Sequence, residues 1–254
     1  VIIDIHVHPY LGSQRGDFAQ ISREATKFDA RLCVFSVQHQ KAKTADWKPT
    51  VAYCRQANDE VAAIMRRYPH QVYGFAYVNP LNGEEALGEL DRCVREHGMV
   101  GMKLWIAVRC NDPLLDPLLE RCATHGIPTL QHTWLKSTGN YPGESTPQDL
   151  VELARRHPRN ILIMGHSGGD WEYGFRCARR LDNVYFDIGG GEANSGGIER
   201  AVNLVGAERI LFGSDLPGRS LTSQLAKVLG AAIGDDAKEQ ILYRNAASIL
   251  GGLR

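Results

Sequence analysis

Residues 4–8, "DIHVH", set two histidines and an aspartate into an apolar run. In an extended strand alternate side chains share a face. Asp4, His6 and His8 are therefore expected on one face, with Ile3, Ile5 and Val7 on the other. Two imidazoles about 6–7 Å apart along a strand, backed by a carboxylate, can chelate a metal. The competing reading is a buried strand that merely carries histidines. Four further residues of the same chemical kind follow short apolar runs: Lys103 in "GMKLW", His132 after "IPTLQ", His166 in "MGHSGGDW" and Asp215 in "LFGSDLP". Four of the nine histidines thus share one kind of address. The other five have simpler explanations. His97, His125 and His157 fall in the last turn of predicted helices, where a cation suits the dipole. His39 lies in the loop after the second strand and His70 just before the third; both read as structural or exposed.

The elements that must position these groups alternate along the whole chain. Strand-like runs occupy 1–5, 31–37, 71–78, 99–105, 127–132, 161–165, 184–188 and 209–213. Between them, apolar residues recur at helical spacing, clearly so over 84–95 and 114–123, and a further helix is expected over 146–157. Gly98 and Gly126 stand where helix-terminating glycines belong, and Pro158 follows the helix at 146–157. Eight strand–helix units in 254 residues predict a single domain, 1–254, folded as a (β/α)8 TIM barrel. A doubly wound sheet is the alternative, but the polar signals follow strands 1, 4, 5, 6 and 8. In a barrel those strand ends converge on one face, where active sites lie.

Composition narrows the function classes. Lys plus Arg and Asp plus Glu both number 29, which gives no electrostatic footprint for nucleic acid or a membrane surface. No apolar run is long enough to span a bilayer. The six cysteines form no C-x-x-C pair and read as reduced, mostly buried thiols of a cytoplasmic protein. The chain opens at Val1 inside a strand, so an initiator is expected upstream.

Taken jointly, D-x-H-x-H on strand 1, histidines on strands 5 and 6 and "GSDLP" after strand 8 resemble the amidohydrolase superfamily. The similarity is greatest to its amidohydrolase-related branch of aminocarboxymuconate-semialdehyde decarboxylases, resorcylate-type decarboxylases and dicarboxylate lactonases. The ending "ILYRNAASILG" resembles that branch's C-terminal helix. The resemblance implies a divalent metal, zinc ahead of manganese, held by the residues matching His6, His8, His132 and Asp215. His166 would polarise the substrate or complete a second metal site. Lys103 occupies the strand 4 position where binuclear relatives carry a carbamylated lysine between two metals. Its alternatives are an ammonium for a substrate carboxylate, or a pair with Asp4 or Asp215.

Two reactions suit these groups. In hydrolysis of a lactone, ester or amide, Asp215 would take the proton of a metal-activated water while His166 polarises the carbonyl. In non-oxidative decarboxylation the metal would hold a carboxylate-bearing substrate, and Asp215 or His166 would protonate the carbon that loses carbon dioxide. Hydrolysis is placed first. Arg15, Lys41, Lys43, Arg109, Lys136 and Arg219 fall just beyond strand ends and point to a small anionic substrate. Trp105 and Trp134 would wall the pocket, with Tyr10 a further hydroxyl; Lys103, Arg109 and Arg219 would bind substrate. The stretch "GGGEANSGG" (189–197) is either an anion-binding run of backbone N–H groups or a flexible connection. Asp170 and Trp171 either support His166 from behind or, for Asp170, cap a helix. A TatD-like nuclease fits less well, because "GMKLW" lacks that group's strand-end glutamate and "GSD" replaces "ETD". A non-catalytic metal-binding barrel is disfavoured by the intact set of candidate ligands, and a homo-oligomer is left open.

Overall fold

A computed structural model describes residues 1–10, 18–37 and 48–251. Its eight strands are β1 (Ile2–Val7), β2 (Ala30–Val34), β3 (Val72–Tyr77), β4 (Gly101–Leu104), β5 (Thr129–Gln131), β6 (Leu162–Met164), β7 (Val184–Asp187) and β8 (Ile210–Leu211). Each pairs in parallel with the next in chain order. Between them run α1 (Phe18–Thr26), α2 (Val51–Arg67), α3 (Glu84–His97), α4 (Asp116–His125), α5 (Pro147–Arg156), α6 (Trp171–Ala178) and α7 (Gly197–Val205). After β8 come α8 (Leu221–Leu229), α9 (Asp235–Glu239), a π-helical turn (Gln240–Arg244) and α10 (Asn245–Ile249). This is the (β/α)8 barrel that the alternating pattern predicts. The helix boundaries have visible causes. Gly98 and Gly126 terminate α3 and α4 in the left-handed conformation. Thr146 and Asp149 form a capping box at the start of α5.

Two apolar layers fill the molecule. Ile3, Ile5, Phe75, Leu130, Ile163 and Leu211, from five of the strands, pack together inside the barrel with Phe35, which follows β2. Ile2, Val7, Leu32, Val34, Leu162, Met164 and Phe212 belong to the outer layer under the helices. This corrects the expectation that Ile3, Ile5 and Val7 share a face. Ile5 packs inward and Val7 outward, so alternation breaks between them, where the β1–β2 register shifts. The break has a chemical cause. Asp4 Oδ1 accepts the His6 backbone N–H at 3.1 Å, replacing a regular ladder bond. The bulge turns the His6 and His8 rings toward Phe35, an interior residue.

The barrel closes at the same place. Ile5 N–H donates to Phe212 O, Asp215 N–H to His6 O and His8 N–H to Leu216 O, at 2.9, 2.9 and 2.7 Å. β8 is shorter than its apolar run suggests, because Gly213, Ser214 and Asp215 leave the ladder to pair with β1 in this irregular way. Asp4 Oδ1 also accepts the Ser214 N–H. Outside, the π-helical turn offers the Ile241 carbonyl to Phe212 N–H, and Asn245 Nδ2 donates to Ala207 O and Ile210 O.

The helical ring explains the histidines set aside above. His97, His125 and His157 sit at the C-terminal ends of α3, α4 and α5 and meet Asp59, Asp91 and Asp116 of the preceding helix. His70 is exposed, and His39 lies outside the described residues. The six cysteines are free thiols, five of them buried. Among the described residues no helix is long and apolar enough to cross a membrane.

A buried carboxylate joins α2 to α3. Glu89 accepts from Asn58, Arg92 and Arg55. Burial alone would raise its pKa, but these donors hold it down at about 2. A carboxylate lowered on folding stabilises the protein above its unfolded pKa and loses that effect as pH falls. Glu89→Gln should therefore flatten the loss of stability between about pH 4.5 and 2. At pH 7 it should cost about 2 kcal/mol, the scale of a hydrogen bond to a charged group. Urea midpoints across that range check both; parallel pH curves for the two proteins would refute the assignment.

Candidate active site

The β1–β8 seam brings His6, His8 and Asp215 together. Both imidazoles present Nε2 at 3.5 Å from Asp215 Oδ1. Asp215 has φ 63°, a left-handed backbone unusual for a non-glycine residue. His166 (φ 56°) and Ser167 (φ 47°) share that rarity after β6. Three of the four such residues in the described chain thus lie at these strand ends, as strain at a functional site does. The His166 ring lies 4.6 Å from that of His6 and 5.1 Å from that of His132. One ligating atom from each of His6, His166 and Asp215 falls within 4.8 Å of the others.

Two acids that the motif reading missed orient the imidazoles. Asp187, at the end of β7, accepts His6 Nδ1–H at 2.6 Å, and the same Oδ2 takes the His166 backbone N–H. Its other oxygen accepts Gly189 N–H at 2.7 Å. His6 is thereby fixed with Nε2 free to ligate. Glu144, from the β5–α5 loop, meets His132 Nε2 at 3.1 Å and leaves Nδ1 as that ring's other ligating atom. His166 Nδ1–H donates to Gly189 O at 3.0 Å, so its Nε2 remains for chemistry. Asp187 was legible by the rule that found the others, a polar residue closing a buried strand. Glu144 had no such signal, because it lies in an irregular loop.

Electrostatics agree with a cation site. Burial pushes His6 well below its ordinary pKa, lowers His132, and brings His166 to about 4, so these rings are neutral donors. Burial would raise Asp215, but the His8 hydrogen bond and the neighbouring imidazoles hold it well below the usual carboxylate range. Neutral imidazoles with an ionised carboxylate form a donor set suited to a divalent metal such as zinc or manganese. His6, His166 and Asp215 stand within ligating reach of one another, and His8 Nε2 meets Asp215. Of the expected ligands, His132 lies outside that group, with its ring 5.1 Å from that of His166.

The remaining predicted residues divide. Lys103 is buried with Nζ 4.3 Å above the Phe35 ring, and burial lowers its amine to about 7. It forms no ion pair with Asp4 or Asp215. Trp134 stacks on His132 at 6.2 Å and lies 5.0 Å from His166, while Trp105 meets the edge of His132. Arg219 donates to Gly190 O beside His166. Arg109 turns away, to Pro142 O and Asp149. Lys136 is taken by Glu144, and Tyr10 by Ser36 and Glu60. Arg15, Lys41 and Lys43 lie outside the described residues. Asp170 caps α6 by accepting Tyr173 N–H. The glycine-rich run uses its carbonyls as acceptors for His166 and Arg219. Gly190 (φ 79°) is required there, because a Cβ would collide with His166 Nδ1.

The amidohydrolase family profile (Amidohydro_2) matches residues 3–252. The chain belongs to that family. It is 24% identical over 234 residues to the 2-amino-3-carboxymuconate-6-semialdehyde decarboxylase of Dictyostelium discoideum. That match covers 76% of this chain and 65% of the relative, so the chain spans just under two thirds of that relative's length. Among solved structures, 2,6-dihydroxybenzoate decarboxylase from Rhizobium superposes with a TM-score of 0.79 at 17% identity, covering 98% of both chains. Dihydroxybenzoic acid decarboxylase from a Polaromonas species, with bound manganese and 2-nitroresorcinol, gives 0.79 at 18% identity, covering 100% of this chain and 97% of that one. At these identities the superpositions establish the shared barrel.

The orienting role of Asp187 is measurable. Asp187→Asn keeps the volume but sets an amide among three N–H donors. Metal affinity should fall about 10- to 100-fold in chelator competition, the usual effect of removing such a partner. Unchanged affinity in a folded variant would show that His6 does not depend on it.

Proposed function

We propose that this chain is a metal-dependent, non-oxidative decarboxylase of a small unsaturated or aromatic carboxylic acid. The observation that carries this reading is His166. It is buried, anchored through Nδ1 on Gly189 O, and presents its free Nε2 beside the His6–Asp215 donors and the Trp134 ring. Such a group can take up a proton at Nε2 and deliver it to a carbon held in front of it. The activities named for the relatives support the same choice, above the hydrolysis that the residues alone placed first.

When bound, the metal would supply a Lewis acid that anchors the substrate's oxygens and stabilises the charge left as carbon dioxide departs. Zinc is the first expectation, and the manganese of the Polaromonas enzyme supports the second. Trp105 and Trp134 form apolar walls for a planar substrate. Lys103 and Arg219 add positive charge for its carboxylate. Arg109 enters only by a change of rotamer, since it faces Asp149 here. As the bond to the carboxylate breaks, its electron pair stays on the ring or alkene carbon. Nε2 of His166, neutral at rest, first takes up the proton of the incoming acid, and the imidazolium so formed gives it to that carbon. The product is the substrate with hydrogen in place of the carboxylate, together with carbon dioxide. Hydrolysis would use the same residues with Asp215 as proton acceptor, because the family's donor set serves either reaction.

The metal-loaded protein should release carbon dioxide from a member of a panel of hydroxybenzoic and muconate-type acids. In deuterium oxide the product should carry deuterium at the vacated carbon. His166→Asn should lower kcat by about 10²–10⁴ with metal content retained, the scale of a lost general acid. Turnover of lactones or esters with no carbon dioxide from any acid would overturn the reading in favour of hydrolysis.

A further inference from the structure

Four successive carbonyls after β7 are each held by a side chain from elsewhere. Ile188 O accepts Lys227 Nζ at 2.7 Å, and Gly189 O accepts His166 Nδ1–H at 3.0 Å. Gly190 O accepts Arg219 Nε at 3.2 Å. Gly191 O takes both Gln224 Nε2 at 3.2 Å and Lys227 Nζ at 3.3 Å. One amine thus bridges the carbonyls on either side of the pair that touches His166 and Arg219. Lys227 and Gln224 lie on α8, one turn apart.

Ile188 N–H and Gly189 N–H are held by Leu211 O and Asp187 Oδ1, but the carbonyls of the segment, and its course beyond Gly189, depend on these side chains. Residues 189–191 are three consecutive glycines, with the greatest backbone freedom of any residue type. On their outer side lies a cavity of about 60 Å³ lined by Phe175, Ile198, Ala201 and Lys227, which also reaches His166. A segment bordering a void cannot be fixed by packing on that side. Beyond Gly191 the loop is exposed through Gly196.

We propose that Lys227 is a positioning residue for His166: by gripping the Ile188 and Gly191 carbonyls it fixes the arc whose Gly189 carbonyl holds the His166 Nδ1–H. Lys227 touches none of the reacting groups. It acts through three glycines on the imidazole that transfers the proton, and the kinetic consequence rests on the decarboxylase reading above.

Lys227→Met keeps the apolar stem and removes the donors; Lys227→Arg restores two. The holoprotein of each is compared by kinetics, metal content and the Nδ1–H proton resonance of His166 in 15N-histidine-labelled protein. That resonance is assigned by its loss in His166→Gln. The Met variant should lose kcat about 10- to 30-fold with KM within about 2-fold and metal content unchanged, the pattern of a lost transition-state interaction. The Arg variant should recover most of the rate. The Nδ1–H signal should exchange rapidly with water in the Met variant and stay protected in the wild type and the Arg variant. A signal equally protected in all three would overturn the proposal, whatever the kinetics. So would a stability loss without change in that signal. Should Lys227→Met not fold, Gln224→Leu removes one bond of the same strap and should produce a smaller change of the same kind. If the wild type releases no carbon dioxide, the function reading fails while the resonance still tests the strap.

Discussion

Closing a barrel requires its first strand to hydrogen-bond its last, and in this protein that seam is also where the reactive groups stand. Regular pairing would have pointed His6 outward, since Ile5 faces the interior. One carboxylate prevents it. Asp4 takes the backbone N–H of His6 from its own strand and that of Ser214 from across the seam. The strand slips, two histidines turn inward, and Asp215 is delivered opposite them on a left-handed backbone. Asp4 Oδ2 stays buried without a hydrogen-bond partner, and burial raises its pKa to about 7. A site that tolerates such a group has been shaped for something other than stability.

The electrostatic arrangement has the same logic. Asp187 and Asp215 stand among three buried imidazoles and the buried amine of Lys103. In a low-dielectric interior, neutral imidazoles leave negative charge from the carboxylates only partly balanced. A divalent cation would balance it, and it would find the lone pairs already aimed. Asp187 occupies Nδ1 of His6 and leaves its Nε2 toward Asp215, while Glu144 holds Nε2 of His132. Gly213 lets Asp187 approach so closely, for a Cβ there would collide with Asp187 Oδ1. The aim of the imidazoles therefore precedes metal binding.

The strands, their order and the strand-end residues were legible because each depends on local pattern: apolar runs, helical periodicity and a polar residue where a buried run stops. His97, His125 and His157 were legible for the same reason, at helix ends, though their aspartate partners on the preceding helices were not. What stayed hidden depends on contacts distant in sequence. The bulge at His6 is caused by a bond to Asp4 and by Ser214, 210 residues from it. Glu144 reaches His132 from a loop with no periodicity, and it also neutralises Lys136, which had read as a free cation at the mouth. Arg109 was placed correctly beyond a strand end, yet its side chain follows Asp149. The mouth is thus less cationic among the described residues than the residue types alone suggest.

The same barrel and the same donors can serve hydrolysis or decarboxylation, so the distinction must lie in proton traffic. Hydrolysis needs a base that removes a proton from water. Decarboxylation needs an acid that gives one to carbon after the carboxylate has gone. Asp215, held well below the usual carboxylate range and engaged with two imidazoles, has little basicity left. His166 is the opposite case. Its ring is fixed at one nitrogen by a neutral carbonyl, which leaves it able to gain and lose a proton at the other. The Gly189 carbonyl accepts Nδ1–H without adding charge of its own. That partner leaves Nε2 as the atom where a transferred proton would reside, which is why the decarboxylase proposal turns on His166.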